Sequence, residues 1–294
     1  MQSMSLSRLG LLVPPVGPWS AQARGYRWAE EVGYDVVYTA DHLTHPIYPG
    51  LWLGEAFTTL AAAAAVTDRI MLGTLVASAA FRSPVSLARV AMSVQDVSAG
   101  RLVLGVGMGA PFCVKADRGV RESVGELSTR FADVVRGYLS VLDGATDWQG
   151  DVMAFGGLET TERPEGVGRP ELVLAGHGPR SLALAAAHAD TWNTYGGPGT
   201  ADIEGGDFWQ LVRRQVEAFV EACDRQGRDP ASIRRSLLLG FGRVQPTASV
   251  GDYLDAVERA VALGFDELAV LGSPWADGEP RDLGVHEQAL AQLR

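Results

Sequence analysis

The sequence predicts an eight-stranded parallel β/α barrel, a (β/α)8 TIM barrel, on three observations. Short apolar runs alternate with helical stretches along the whole chain. Runs such as Leu102–Val106 are apolar throughout, as expected for parallel strands buried on both faces. Eight such βα units are the number that closes a barrel. With 294 residues, 47% of them hydrophobic, the chain can bury that core, and we expect a single domain over residues 1–294.

The predicted elements follow one another in regular order, with one irregular interval. The strands are Leu9–Val13, Asp35–Ala40, Ile70–Ala77, Leu102–Val106, Glu171–Ala175, Thr191–Thr194, Ser236–Phe241 and Glu267–Leu271. The helices are Ser20–Val32, Glu55–Ala65, Pro84–Ser98, Glu122–Leu142, Ser181–His188, Phe208–Gln226, Val250–Leu263 and His286–Leu293. Residues 143–170 carry Gly, Pro, Asp and Glu with little periodicity, which predicts an insertion between strands four and five. We expect this insertion to cover the active site.

Composition narrows the classes of function. The net charge of −10 does not suit nucleic acid or an anionic membrane surface. Cys113 and Cys223 form neither a metal-binding spacing nor a disulfide framework, so we expect no metal. No charged N-terminus followed by an apolar run indicates a signal peptide, and no apolar run approaches the ~20 residues of a membrane helix. We expect a cytoplasmic protein with a small-molecule substrate.

Two strand ends carry residues with a chemical interpretation. His42, beside Asp41, follows the second strand, and histidine is the usual general acid or base. A structural histidine is the alternative. After the fifth strand comes a glycine-rich turn that opens a helix, where backbone N–H groups can bind a phosphate. An ordinary tight βα turn is the alternative there. The turn consists of Gly176, His177, Gly178, Pro179, Arg180 and Ser181.

Further glycines and aromatic residues are less specific. The run Gly105–Gly109 lacks the spacing of a dinucleotide-binding fingerprint, and its glycines are better suited to let a flat group lie against the strand end. Four aromatic residues are candidates for an apolar substrate pocket, with ordinary core packing as an equal alternative. They are Trp19, Trp52, Trp192 and Tyr195.

Several segments together resemble the bacterial luciferase-like monooxygenase family, which includes oxidoreductases dependent on the deazaflavin coenzyme F420. The most specific of them is Ser98–Gly107, and the resemblance is strong from about Leu9 to Asn193. The other matching segments are Asp41–Leu43, Arg69–Thr74, Phe81–Pro84, Gly178–Pro179 and His188–Asn193.

The resemblance implies where a cofactor lies. Similar proteins have a non-proline cis peptide at the end of strand three that bulges toward the cofactor ring, which here is Leu75–Val76. The implied ring contacts are Leu75, Val76, Ala77, Gly107 and Met108, and the turn Gly176–Ser181 becomes the phosphate site. The implied substrate contacts are Trp192, Asn193 and Tyr195. A homodimer is also implied, through helices 55–65 and 84–98, whose small residues include Ala61–Ala65, Ala88 and Ala91.

The run Ala40-Asp41-His42 indicates the branch of the family. It resembles the deazaflavin branch, whereas the luciferase branch has Glu-His-His at this position. We therefore expect coenzyme F420, hydride transfer to or from a small organic substrate, and His42 as proton donor or acceptor, with Asp41 setting its orientation or charge. Ala110 stands where sugar-phosphate dehydrogenases of this branch carry Glu, so a sugar phosphate is not expected. The alternative is an FMNH2-dependent monooxygenase fed by a separate flavin reductase. A barrel that binds a cofactor without catalysis is a third hypothesis.

Overall fold

The computed structural model describes residues 6–159, 166–275 and 280–294. Its strands are β1 Arg8–Leu12, β2 Val36–Thr39, β3 Met71–Ser78, β4 Leu102–Gly107, β5 Trp148–Gln149, β6 Ala154–Phe155, β7 Glu171–Ala175, β8 Thr191–Thr194, β9 Arg234–Leu239 and β10 Glu267–Leu271. Its α-helices are α1 Trp19–Val32, α2 Ala56–Ala64, α3 Pro84–Val97, α4 Pro111–Arg118, α5 Val124–Leu142, α6 Pro179–His188, α7 Gly205–Gln226, α8 Val250–Ala262 and α9 Leu283–Leu293. Short 3₁₀ turns occupy Ala79–Phe81, Thr200–Asp202, Pro230–Ser232 and Pro246–Ala248.

Eight of these strands close into a barrel, in the order β1-β10-β9-β8-β7-β4-β3-β2, and every pairing within it is parallel. The predicted (β/α)8 barrel is confirmed. The helices surround it because each connection between parallel neighbours must cross from one end of the barrel to the other. All strands therefore end at the same face, where catalytic groups of such barrels lie.

The barrel interior is a packed core. Successive side chains of a strand point to opposite faces, so Leu11 packs between the strands and the helices while Leu12 packs inside the barrel. Each such buried aliphatic side chain contributes about 1.5–3 kcal/mol relative to an exposed one. The inner cluster consists of Leu12, Val36, Tyr38, Leu75, Val103, Val173, Leu238 and Ala269.

An ion network closes the end of the barrel at which the strands begin. Arg8 donates to both carboxylate oxygens of Glu171 at 3.1 and 2.8 Å and to Glu267 at 3.2 Å. Arg234 donates to Glu171 at 2.9 Å, and the buried Tyr38 hydroxyl donates to Glu267 at 2.9 Å. Hydrogen bonds from Thr191 and Ser236 complete the contacts of the two carboxylates. We call Arg8, Glu171, Arg234 and Glu267 the basal ion network.

The insertion predicted over residues 143–170 lies between β4 and β7, the fourth and fifth barrel strands. Its described part, 143–159 and 166–170, includes the antiparallel pair β5–β6, with Trp148 stacked on Phe155 at 6.1 Å. Gly168 accepts a hydrogen bond from Gln95 near the end of α3. A connection from a helix to the next strand returns the chain to the face where strands begin. The described part of this segment therefore lies against α3 and α5, which does not support the expectation that it covers the active site.

Helix α4 is the element that the sequence analysis missed. It follows β4 directly, at the face where strands end, and is only eight residues long. Pro111 occupies its first turn, and Gly119 ends it in a left-handed conformation with φ of 70°. So short a helix carries too few turns to display an apolar periodicity in sequence. Its position makes it part of the site described below.

The small residues proposed for a dimer contact are largely buried within the chain. Ala63, Ala64, Ala88 and Ala91 all lie in the core between strands and helices, where they allow α2 and α3 to pack on the barrel. They are thus unavailable to a second copy. Among the described residues, no helix is both long and apolar enough to cross a lipid bilayer.

Candidate active site

An apolar floor lies at the face where the barrel strands end. It is formed by half-buried side chains that pack on the inner cluster from above. These residues are Ala40, Val76, Tyr195, Phe241 and Leu271, and we call them the apolar floor. A flat, apolar group can lie on such a surface.

The end of β3, which contributes Val76 to the apolar floor, is irregular. The Leu75–Val76 peptide is cis, as the family resemblance implied, and the pairing of β3 with β4 shifts register between Thr74 and Ala77. A Cβ atom placed on Gly107 would lie 2.4 Å from Cγ2 of Val76. Gly107 therefore accommodates the Val76 side chain, not a flat ligand as the sequence suggested.

The side chains of the residues predicted to contact the cofactor ring lie in different parts of the structure. Leu75 and Ala77 are buried, in the inner cluster and in the core under the helices respectively. Met108 packs against a small cluster beneath α4 and α5, formed by Ala80, Val114 and Leu127. Of these predicted residues, Val76 is the one whose side chain belongs to the apolar floor.

His42 stands in an aromatic group beside the floor. Its ring lies 4.8 Å from that of His45, centre to centre, and is stacked on Phe112 of α4 at 6.1 Å and 14°. Its Nδ1 atom lies 3.5 Å from Sγ of Cys113, the next residue of α4. Burial, together with the nearby His45, lowers the pKa of His42 to about 4. At neutral pH this imidazole is uncharged and can accept a proton.

Asp41 does not orient His42, contrary to the prediction. Its buried carboxylate accepts from the backbone N–H of Ser78 at 3.0 Å and from Arg82 at 3.1 Å. Arg82 also pairs with Glu55 at 2.8 Å, the residue that caps α2. Burial raises the pKa of Asp41, although Arg82 opposes this shift. Asp41 thus ties the end of β3 to the loop after β2 and supports the histidine only through the backbone.

Two of the three residues proposed for substrate lie on opposite faces of β8, and the third directly follows this strand. Trp192 is fully buried on the helix side, stacked on Phe219 at 4.4 Å, and so cannot line the site. Asn193 is buried inside the barrel and donates to Oγ of Ser236 at 2.9 Å, one layer below the floor. Tyr195 belongs to the floor itself. A role of Tyr195 in substrate binding stays a prediction.

The turn Gly176–Ser181 leads into α6 as predicted, but its members have separate tasks. A Cβ atom on Gly176 would lie 2.4 Å from Ser181, so this glycine serves the turn itself. Arg180 points away, donating to Thr129 of α5 at 2.8 Å, and is not positioned as a phosphate ligand. Gly178 is open: the nearest atom to an added Cβ is Oγ of Ser181 at 3.9 Å.

A line of rings connects the two predicted halves of the site across the floor. From His42 it passes to His45, then to Phe241 at 6.3 Å. Tyr195 lies 6.0 Å from Phe241, and His177 of the glycine turn lies 5.9 Å from Tyr195. The histidine and the turn, more than 130 positions apart in sequence, thus border one surface.

Sequence reasoning missed several residues of this site, among them His45, Phe112, Cys113 and Phe241. His45 could have been found, because it follows His42 by three positions in the same loop. Trp52, which was considered for the pocket, is 86% exposed, and Trp19 lies on the first turn of α1, 38% exposed and 6.2 Å from Tyr26. Neither encloses the floor. Among the described residues, no three His, Cys, Asp or Glu side chains form a group that could hold a metal ion.

Comparisons with known proteins identify the family of this chain. The family profile described as luciferase-like monooxygenase matches residues 3–242. A Mycobacterium tuberculosis protein assigned to the coenzyme F420-dependent oxidoreductases is 29% identical over 63% of this chain and 54% of its own length. A phthiodiolone/phenolphthiodiolone dimycocerosates ketoreductase of Mycobacterium kansasii is 28% identical over 71% of this chain and 53% of its own. The chain spans about half the length of these curated relatives.

Two solved structures show the same fold at low identity. An F420-dependent secondary alcohol dehydrogenase, in complex with an F420–acetone adduct, superposes with a TM-score of 0.78 at 16% identity and covers 98% of this chain and 99% of that one. The oxygenating constituent of a type II Baeyer–Villiger monooxygenase of Pseudomonas putida, in complex with FMN, gives 0.68 at 16% identity, covering 97% and 96%.

Proposed function

Because this chain is an enzyme of the luciferase-like monooxygenase family, we propose that it transfers a hydride between the deazaflavin coenzyme F420 and a small organic substrate. One observation carries the proposal: the uncharged, desolvated His42 borders an apolar floor whose opposite edge is the start of a helix. The floor would hold the flat ring of a redox cofactor, the start of the helix would hold its anionic tail, and His42 would carry the proton. The 29% identical relative assigned to the F420-dependent oxidoreductases supports this cofactor.

The residues present fit such a cofactor. Val76, Tyr195 and Phe241 offer a surface for the ring, while the N–H groups of Arg180 and Ser181, in the first turn of α6, favour an anion. The open space at Gly178 lets a phosphate approach them. When bound, the deazaflavin supplies two-electron hydride chemistry, because a carbon replaces the reactive ring nitrogen of a flavin.

An alcohol and its ketone are the substrate pair that this site suits best. One proton carrier, His42, is sufficient for their interconversion, since the hydride and the hydroxyl proton leave separately. The loop that carries His42 exposes Leu43 and Ile47, and Phe112 flanks the imidazole, so an apolar substrate is favoured. The ketoreductase relative and the structurally similar secondary alcohol dehydrogenase support this substrate class.

The second candidate is an FMNH2-dependent monooxygenase that receives its flavin from a separate reductase. It is favoured by the description of the matching family and by the similar fold of the FMN-bound monooxygenase. The same floor and turn would hold FMN, because FMN also has a flat ring and a phosphate. The two candidates differ in their need for oxygen.

Cofactor titration tests both candidates and the phosphate position. We expect the parent protein to bind coenzyme F420 more tightly than FMN, measured by fluorescence under anaerobic conditions. Gly178→Glu should weaken binding by more than about 100-fold, about 2.7 kcal/mol, through steric conflict and like charge. Gly205→Glu is the matched control, because it adds the same charge to the first turn of α7, where space is also open. Equal affinities of the two variants would place the phosphate elsewhere.

Isotope transfer tests the reaction itself. A secondary alcohol deuterated at its carbinol carbon should pass deuterium to oxidised coenzyme F420, as read by mass spectrometry of the reduced coenzyme. Tight binding of FMN with substrate-dependent oxygen consumption, and no label in coenzyme F420, would establish the second candidate instead.

A further inference from the structure

Helix α4 places a thiol against the imidazole of the site. Cys113 is buried, and its Sγ atom lies 3.5 Å from Nδ1 of His42 and 3.3 Å from the carbonyl oxygen of Thr44. We propose that Cys113 is a positioning residue that holds His42 in the tautomer with the proton on Nδ1, which leaves Nε2 free to accept the substrate proton. The tautomer itself does not depend on the cofactor, whereas its catalytic consequence rests on the proposed function.

The direction of these hydrogen bonds follows from the donors available. A thiol has one hydrogen, and a carbonyl oxygen can only accept, so the contact with Thr44 uses the hydrogen of Cys113. Toward His42 the sulfur then has only lone pairs, and Nδ1 must be the donor. In the part of the chain that the structure describes, Cys113 is the polar partner found for the His42 ring nitrogens. A neutral imidazole carries one N–H, so its Nε2 is an acceptor.

The neighbouring rings limit the other freedom of His42. Phe112 stacks on the imidazole at 14°, which fixes the plane of the ring. The contact of Cys113 with Nδ1 then fixes how the ring is rotated within that plane. His45 is oriented separately, because its Nδ1 accepts from the backbone N–H of Ile47 at 3.3 Å and its own proton therefore sits on Nε2 when it is neutral. One short helix thus sets both the orientation and the tautomer of His42.

The consequence is that the resting site is prepared for alcohol oxidation. In that reaction the substrate hydroxyl would transfer its proton to Nε2 of His42, which would become an imidazolium, and a bound deazaflavin would supply the acceptor for the hydride of the C–H bond. For the reverse reaction Nε2 of His42 must first carry a proton, so ketone reduction starts from the imidazolium.

Nitrogen NMR on cofactor-free protein tests the tautomer directly. With 15N-labelled histidine and His42→Gln to assign the signals, we expect His42 to have a protonated Nδ1 and an unprotonated Nε2 at pH 7. Cys113→Ser should keep this tautomer, since a hydroxyl can donate to Thr44 and accept from Nδ1. Cys113→Ala should populate the Nε2–H form, and Cys223→Ala, which removes the other buried thiol in α7, should change nothing.

Kinetics provide the second readout. Cys113→Ala should lower kcat for alcohol oxidation by about three- to tenfold, the range of one lost hydrogen bond, with KM within about twofold. Cys113→Ser should recover most of this loss. A parent His42 that carries its proton on Nε2 overturns the proposal, even if the alanine variant does not fold, and so does an unchanged tautomer in folded Cys113→Ala. A protein that binds no coenzyme F420 would refute the proposed function but leave the NMR result decisive.

Discussion

The ionisable groups at the two ends of this barrel differ in how many hydrogen bonds they receive. At the end where strands begin, each carboxylate of the basal ion network receives several hydrogen bonds from charged or hydroxyl groups. At the end where strands finish, His42 is desolvated among rings, with a weak thiol contact. Glu171 illustrates the first case, since hydrogen bonds from Arg8 hold its pKa below the ordinary value although burial acts to raise it.

The difference separates residues that hold the fold from residues that can do chemistry. A buried carboxylate that receives hydrogen bonds from charged or polar groups is held in place by them, and the removal of one partner is costly. A half-buried imidazole with few partners is held neutral by desolvation and by the nearby His45 rather than by hydrogen bonds, so a substrate can still exchange a proton with it. Asp41 belongs to the first kind although it is next to His42 in sequence, because Ser78 and Arg82 satisfy its oxygens.

Removal of the His42 imidazole should have the largest effect of the changes proposed, and this effect should be on turnover alone. We expect His42→Ala to lower kcat by about 10²–10⁴, the usual contribution of general acid–base catalysis, with cofactor affinity within several-fold. The free energy of unfolding should change by no more than about 1 kcal/mol, by urea denaturation. Nearly full activity of this variant on an identified substrate would contradict the role of His42.

Removal of the Arg8 cation from the basal ion network should instead lower the stability of the fold. Arg8→Met leaves the buried carboxylate of Glu267 and the half-buried one of Glu171 without their shared partner, and we expect a loss of about 3–5 kcal/mol in the free energy of unfolding. Arg225→Met removes an exposed pair with Glu221 and should cost about 0.5 kcal/mol or less. If both variants lost equal stability, the basal network would not be the stabilising element that its geometry indicates.

The pH dependence should report the desolvation of His42. Its pKa of about 4 lies below the ordinary 6.5, so the proton-accepting form persists into acid. We expect kcat/KM for alcohol oxidation to be flat from pH 7 to 5 and to fall about tenfold per unit below pH 4. His45→Gln removes one of the two causes of the shift and should move this limb to higher pH. A limb near pH 6.5 in the parent would show an imidazole that is hydrated.

The same shift lowers stability in acid. Between pH 6.5 and 4 the unfolded chain binds a proton at His42 that the folded chain does not, so the free energy of unfolding should fall as pH falls through this window. His42→Ala should reduce this slope, whereas Arg225→Met should leave it unchanged. Urea denaturation at pH 7, 6 and 5 measures both.

The smallest expected effect concerns a second copy of the chain. We still expect a homodimer through the outer faces of α2 and α3, where Ala62 and Val90 are only partly buried. Light scattering at micromolar concentration should give twice 31.3 kDa. Ala62→Glu should shift the protein toward monomer, while Ala187→Glu, on the exposed face of α6, should not. A parent mass of one chain would rule the dimer out.

The sequence by itself determined the barrel and the two edges of the site. Alternation of apolar strands and helices is a local, periodic property, and the residues directly after a strand must lie at its end, so His42 and the turn Gly176–Ser181 were placed correctly. The Leu75–Val76 bond was also anticipated, though only from the family resemblance. The most specific family segment proved structural in part: the Arg101 guanidinium donates to the carbonyls of Ala64, Thr67 and Ile70.

Only the tertiary structure decided which side chains meet. The sequence of β8, Thr-Trp-Asn-Thr, does not reveal which face carries Trp192. The tertiary structure decides it, because the polar groups of Thr191 and Asn193 bond to Glu171 and Ser236 inside the barrel. Likewise, nothing near His42 in sequence indicates Phe112 and Cys113, some seventy positions away. Such contacts depend on barrel closure and on the path of a loop, and these are set by packing between distant strands rather than by local periodicity.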